Sequence, residues 1–143
     1  MYRLLGIIAG GIFCYQLNHI QEALAFGLKA ETAWQRISAV FFGIAVLGLF
    51  MIVIRKWFNR SFYNGFIVAA GLFLSFDIVT FHWIFQLHRI TSGPEANVLE
   101  PLFVLGGLIF VVWGVRSERS GKKQAGLGGT SFGERERSPL NMK

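Results

Sequence analysis

The chain has 143 residues, 53% of them hydrophobic and 15 of them phenylalanine, with a formal net charge of +6 and a mean hydropathy of +0.49. Such a composition is cheap in lipid and aggregation-prone in water, so a water-soluble globular enzyme is excluded as the default class. The single cysteine, Cys14, excludes an internal disulfide framework, and its place in an apolar run reads as a buried inert thiol.

A hydrocarbon core of about 30 Å needs about 20 mostly apolar helical residues. Four stretches qualify. The first runs from about Leu4 to Ile20, the second from about Ile37 to Ile54, the third from about Phe62 to Leu87 and the fourth from about Val98 to Val115. Arg55, Lys56 and Arg60 flank the short turn after the second, and Ser92-Gly93-Pro94 opens the connection into the fourth. Helices satisfy their own backbone hydrogen bonds in lipid, so the expected fold is all-α: a four-helix transmembrane bundle over residues 1–116. Gly6 and Gly10 form a G-x-x-x-G step, Gly11 lies beside it, and Gly106 and Gly107 notch the fourth span. Small residues of this kind let helices approach closely.

Arg3, the Arg55/Lys56/Arg60 turn and Arg116, Arg119, Lys122 and Lys123 all fall on one side of the bundle, against Lys29, Arg36 and Arg89 on the other. The positive-inside rule then gives an N-in, C-in topology in the cytoplasmic membrane. Arg3, an apolar run and Ala23-Leu24-Ala25 also fit a secretory signal with a small-residue cleavage site. The glycine pattern favours retention of this span as a packed helix. From Ser117 to Lys143 the composition turns to Gly, Ser, Lys, Arg and Glu, which is expected to give a disordered basic cytoplasmic tail. Its Lys122-Lys123 pair is suited to anionic lipid. The expected partners are the lipid bilayer and either another membrane protein or a second copy of the chain. No nucleic acid is expected, because no basic residues interleave with aromatics on a folded surface.

The third span carries Asp77-x4-His82-x3-Gln86-x-His88. Ionisable groups within a span are expensive and mark interior sites. If the third helix runs outward at about 1.5 Å per residue, Asp77 lies about 22 Å along it and His82 about 30 Å. His19 and Glu22 fall at the outer end of the first span, Glu95 in the outer connection and Glu100 in the first outer turn of the fourth. All the histidines and membrane-proximal acids therefore share one level. Asp77, His82, His88, His19 and Glu100 are the candidate metal ligands. On a regular helix His82 and His88 differ by about 120°, so both reach one small ion only if the helix unwinds after Gln86. The structural readings are that Asp77 glues helices, that the histidines and Trp34 and Trp83 anchor at the interface, and that Glu100-Pro101 is first-turn helix chemistry.

The run from Gly71 to Arg89, with Asp77, His82, Gln86 and His88 at their spacing, resembles a family of bacterial integral membrane proteins of unknown function. In that family a similar acid-and-histidine run occupies an earlier helix. Here Cys14 and His19 keep the five-residue spacing, but no acid stands at position 14. The resemblance implies a class and a site and no reaction.

Imidazole and carboxylate suit copper, zinc or iron, and an outward-facing site suits metal handling or respiratory-complex assembly. The alternatives are a single haem held by axial histidines, an accessory subunit with no ligand, and a proton path through Asp77. The last ranks lower because no second acid lies deep in another span. With no nucleophile elbow, phosphate loop or H-E-x-x-H, an enzyme of the soluble type is not expected.

Overall fold

The computed structural model describes the backbone of residues 1–27 and 29–135, and side chains as far as residue 121. Four helical rods follow one another: α1 (Tyr2–Gly27), α2 (Ala33–Trp57), α3 (Arg60–Leu72), which continues without a break as a π-helix over Phe73–Ile84, and α4 (Ala96–Arg135). There is no strand among the described residues. Thr32 and Gln35 form a capping box at the start of α2, and Arg55 and Lys56 sit in its last turn, where the helix dipole favours them. Asn59 restarts the chain: its Oδ1 accepts from the Phe62 amide at 2.9 Å.

α1 and α3 form the parallel centre of the bundle. Gly6 lies against the Phe62 backbone and Gly10 against the Phe66 backbone and the Ala69 side chain, while Gly65 lies against the backbone of Arg3 and Ile7. A side chain at any of the three would strike main chain, so the G-x-x-x-G step is a packing seam. α4 returns antiparallel to α3, with Gly71 against Gly107 and Gly114 against Asn64 and Val68. Gly11 and Gly106, also expected to pack, have no neighbour within 4 Å of a modest side chain. α2 packs on α1, with the Phe13 and Phe50 rings stacked 4.0 Å apart. Phe66, Ala70, Cys14, Leu17, Leu47 and Ile54 close the core. α2 and α4 do not approach each other, and an apolar groove of about 370 Å³ runs between Leu47 and Met51 on one side and Leu102 and Phe103 on the other.

The outside is apolar. Ile8, Ile12, Phe41, Leu49, Ile52, Leu102, Leu105 and Ile109 are all exposed. A continuous apolar exterior of this kind suits lipid. Three helices are long and apolar enough to cross a membrane: Ala33–Trp57, Arg60–Ile84 and Ala96–Gly121. α1 has the length, at 26 residues, but its second half carries Gln16, Asn18, His19, Gln21 and Glu22. It nonetheless lies along α3 as part of the same bundle.

The helix does not stop at Arg116. α4 runs on to Arg135, and its first turn past Arg116 is tied to α3. Arg60 donates to the Ser117 carbonyl at 3.0 Å, and Ser61 and the buried Asn64 each donate to Glu118 at 2.9 Å. These ties carry the packed part of α4 past the expected boundary at Arg116, as far as Ser117 and Glu118. Composition marks where apolar burial ends, but polar ties to a neighbouring helix can extend order beyond that point. The remainder of the expected tail, residues 136–143, and the Lys122-Lys123 side chains lie outside the described residues.

Candidate metal site at the end of the third span

From Phe73 the third span widens into a π-helix. In an α-helix residues five apart stand about 140° from each other. The wider i→i+5 turn brings them together instead, and such turns are frequent at functional sites. Asp77 and His82, five residues apart, thus meet: His82 Nε2 lies 3.5 Å from Asp77 Oδ2. The helix then unwinds. The Phe85 amide still donates to the Thr80 carbonyl at 2.9 Å, and the Leu87 amide reaches back to Phe81 at 2.9 Å. Between them Gln86 adopts φ 51°, an uncommon left-handed conformation for a residue with a side chain. This reversal swings His88 onto His82, their rings 4.5 Å apart and inclined by 62°. Asp77, His82 and His88 each offer one ligand atom, and the three atoms lie within 4.8 Å of one another.

Glu100 holds the other side of His82. It is 1% exposed, and its Oε1 lies 3.0 Å from His82 Nδ1. Trp83 Nε1 donates to Oε2 at 3.0 Å, the Arg89 guanidinium donates to both oxygens at 3.3 and 3.0 Å, and the Ile90 amide donates to Oε1 at 3.3 Å. A carboxylate only accepts, so the partners assign the imidazole proton to Nδ1. The Nε2 lone pair then faces the Asp77 carboxylate. Two acceptors directed at each other call for a proton or a cation between them. A histidine fixed through its remote nitrogen by a buried carboxylate is the usual arrangement of a metal-binding imidazole.

The connector is pinned as well. Arg89 donates to Asn97 Oδ1 at 2.7 Å. Arg36, at the start of α2, donates to Glu95 Oε1 at 2.5 Å and to the Glu31 carbonyl at 2.7 Å. The Arg36 guanidinium beside Glu95 holds its carboxyl down at about 2. Gly93 lies directly against this pair, so a side chain there would displace the Glu95 carboxylate and the Arg36 guanidinium. An open pocket of about 660 Å³ reaches His82 and Glu100 between Trp83, Gln86, Arg89 and Asn97.

His19 is elsewhere. It is half exposed on α1, 3.5 Å from Glu22 and edge-on to Tyr15 at 4.4 Å. Among the described residues it does not join the Asp77/His82/His88 group. Glu100 joins the assembly as the anchor of His82, on the far side of the ring from Asp77. The first-turn reading of Glu100-Pro101 is corrected, because α4 begins at Ala96 and places Pro101 inside the helix. The His82 and His88 rings are in contact, so no porphyrin plane passes between them. The roles of Trp83 and Arg89 were not anticipated. Their indole and guanidinium donors, six residues apart around a helix end and close to a buried acid, were the available signal.

The chain matches no protein-family model, and neither a curated protein nor a solved structure is significantly similar to it.

Proposed function

We propose that the chain is an integral protein of the cytoplasmic membrane that binds one transition-metal ion through Asp77, His82 and His88 near the outer face, in the service of metal handling or respiratory-complex assembly. One observation carries the reading: three donor atoms of metal-binding type lie within 4.8 Å, and the middle histidine is fixed by a buried carboxylate through its other nitrogen. Nitrogen and oxygen donors without a thiolate suit zinc, iron or copper(II). The outward placement follows from the basic residues at the opposite end of the bundle. The test is elemental analysis of the full chain purified in mild detergent, followed by the same measurement on His82→Ala. About one equivalent of metal in the native chain and its loss in the variant is the expected result. A native chain free of metal after reconstitution with zinc, iron and copper salts would sink the proposal.

A second reading is favoured by a different observation. Among the described residues no buried side-chain nitrogen or oxygen lacks a hydrogen-bond partner. The Glu100 network is thus complete within the protein and can serve as helix glue in an accessory subunit. Under that reading His82→Ala lowers thermal stability, and the native chain carries no metal.

A further inference from the structure

Among the histidines, cysteines and acids of the described residues, three offer donors within reach of one ion. Glu100 is the nearest further carboxylate, but it lies against Nδ1 of His82, while the site is on the Nε2 side. Its two oxygens are already engaged by Trp83, Arg89, Ile90 and His82. The two nitrogens of an imidazole point away from each other, so a carboxylate held on one cannot reach a metal on the other. Among the described residues no other histidine, cysteine, aspartate or glutamate joins the three. His82 is buried, but the bundle itself does not enclose the other two donors. Asp77 is 21% exposed at its side chain, and His88 is exposed on the unwound segment beyond the helix.

A tetrahedral ion with three protein ligands keeps one position free, and an octahedral ion keeps three. Structural metal sites are closed, whereas sites that do chemistry or exchange keep a position open. Two histidines and one carboxylate with open positions form the donor set of sites that take up an external ligand. Resting on the metal reading above, we propose that the ion at Asp77, His82 and His88 keeps a coordination position open to the outer aqueous side, where a small monodentate donor binds directly to the metal. The site is then one of exchange or reaction at the metal and not a structural staple. In the resting protein water fills that position.

Cobalt(II) reports this directly, because its visible absorption depends on the number and kind of its ligands. The full chain in detergent is loaded with one equivalent of cobalt(II) and titrated with sodium azide. The expected result is a saturable change in the visible spectrum, absent from His82→Ala treated identically. Glu22→Gln, which alters an acid outside the site, keeps the response. A chain that binds one equivalent of cobalt(II) with a spectrum indifferent to azide has a closed site, which overturns this inference and leaves the metal reading standing. A chain that takes up no cobalt, zinc, iron or copper overturns both. An azide response that survives in His82→Ala places the ion elsewhere and also overturns the inference.

Discussion

His82 has two ring nitrogens and a carboxylate at each, Glu100 at 3.0 Å and Asp77 at 3.5 Å. The two acids differ in what surrounds them. Glu100 is enclosed by donors, whereas Asp77 faces His82 and His88 and part of the outside. One acid therefore orients the ring and the other is free to share an ion with it. Substitutions should separate these roles. Asp77→Asn keeps size and hydrogen bonding but removes the charge, so metal affinity should fall while membrane insertion stays intact. Glu100→Gln replaces one accepting oxygen with a donor aimed at other donors. It should lower metal affinity by about 10- to 100-fold, as outer partners of ligating histidines typically do. His82→Ala should lose at least that much. Isothermal titration with zinc on the three variants reads all of this, and equal affinities in wild type and Glu100→Gln would refute the anchoring role.

At the scale of elements, the site exists because the third span changes its winding. The four helices and the meeting of Asp77, His82 and Glu100 were legible, since hydropathy and length locate apolar helices, but only three of the four are long and apolar enough to cross a membrane. The π-helix was not. Its pattern of side chains is that of an ordinary apolar helix, and only the meeting of Asp77 with His82 reveals the wider turn. The unwinding after Gln86 was legible only as the condition for His82 and His88 to meet. His19 misled because depth along a helix says nothing about the direction a side chain takes around it. Gly10 shows the opposite case, a local spacing that announced its contact. Gly10→Leu drives a side chain into the Phe66 backbone and should cost about 1–3 kcal/mol, read as a lower unfolding temperature in detergent. The connector answers to pH. Glu95 titrates at about 2 in the folded chain against an ordinary 4.5. Its pairing with Arg36 therefore stabilises the fold fully above about pH 4.5, and that contribution disappears as pH falls toward 2. Glu95→Gln should lower the unfolding temperature at pH 7 and flatten its acid dependence. An unchanged slope between pH 4.5 and 2 in the variant would show that another group governs this range.

The whole molecule is polarised along its axis. Because α1 and α3 run parallel and α4 returns against α3, Arg3 lies beside Gly65 and Arg60 beside Ser117, which gathers Arg3, Arg116 and the α2–α3 turn at one end. Asp77, His82, His88, Glu95 and Glu100 gather toward the other. A bundle whose basic end is cytoplasmic places the acid-and-histidine end outside, and with it the mouth of the proposed metal site. The same geometry makes α1 a structural member, since Gly6 and Gly10 seat it on α3. The intact mass of the membrane form should accordingly include Met1 or Tyr2, and a chain beginning at Phe26 would remove the partner that α3 packs on. Sidedness is read by reporter fusions placed at Ser92 and after Lys143. The first should report the outside and the second the cytoplasm. Opposite assignments would turn the site toward the cytoplasm, where metal would reach it from the cell's own exchangeable pool and a role in receiving metal from outside would no longer hold. Both reporters on the same side would mean an even number of crossings between them, and would overturn the reading of α4 as a single span.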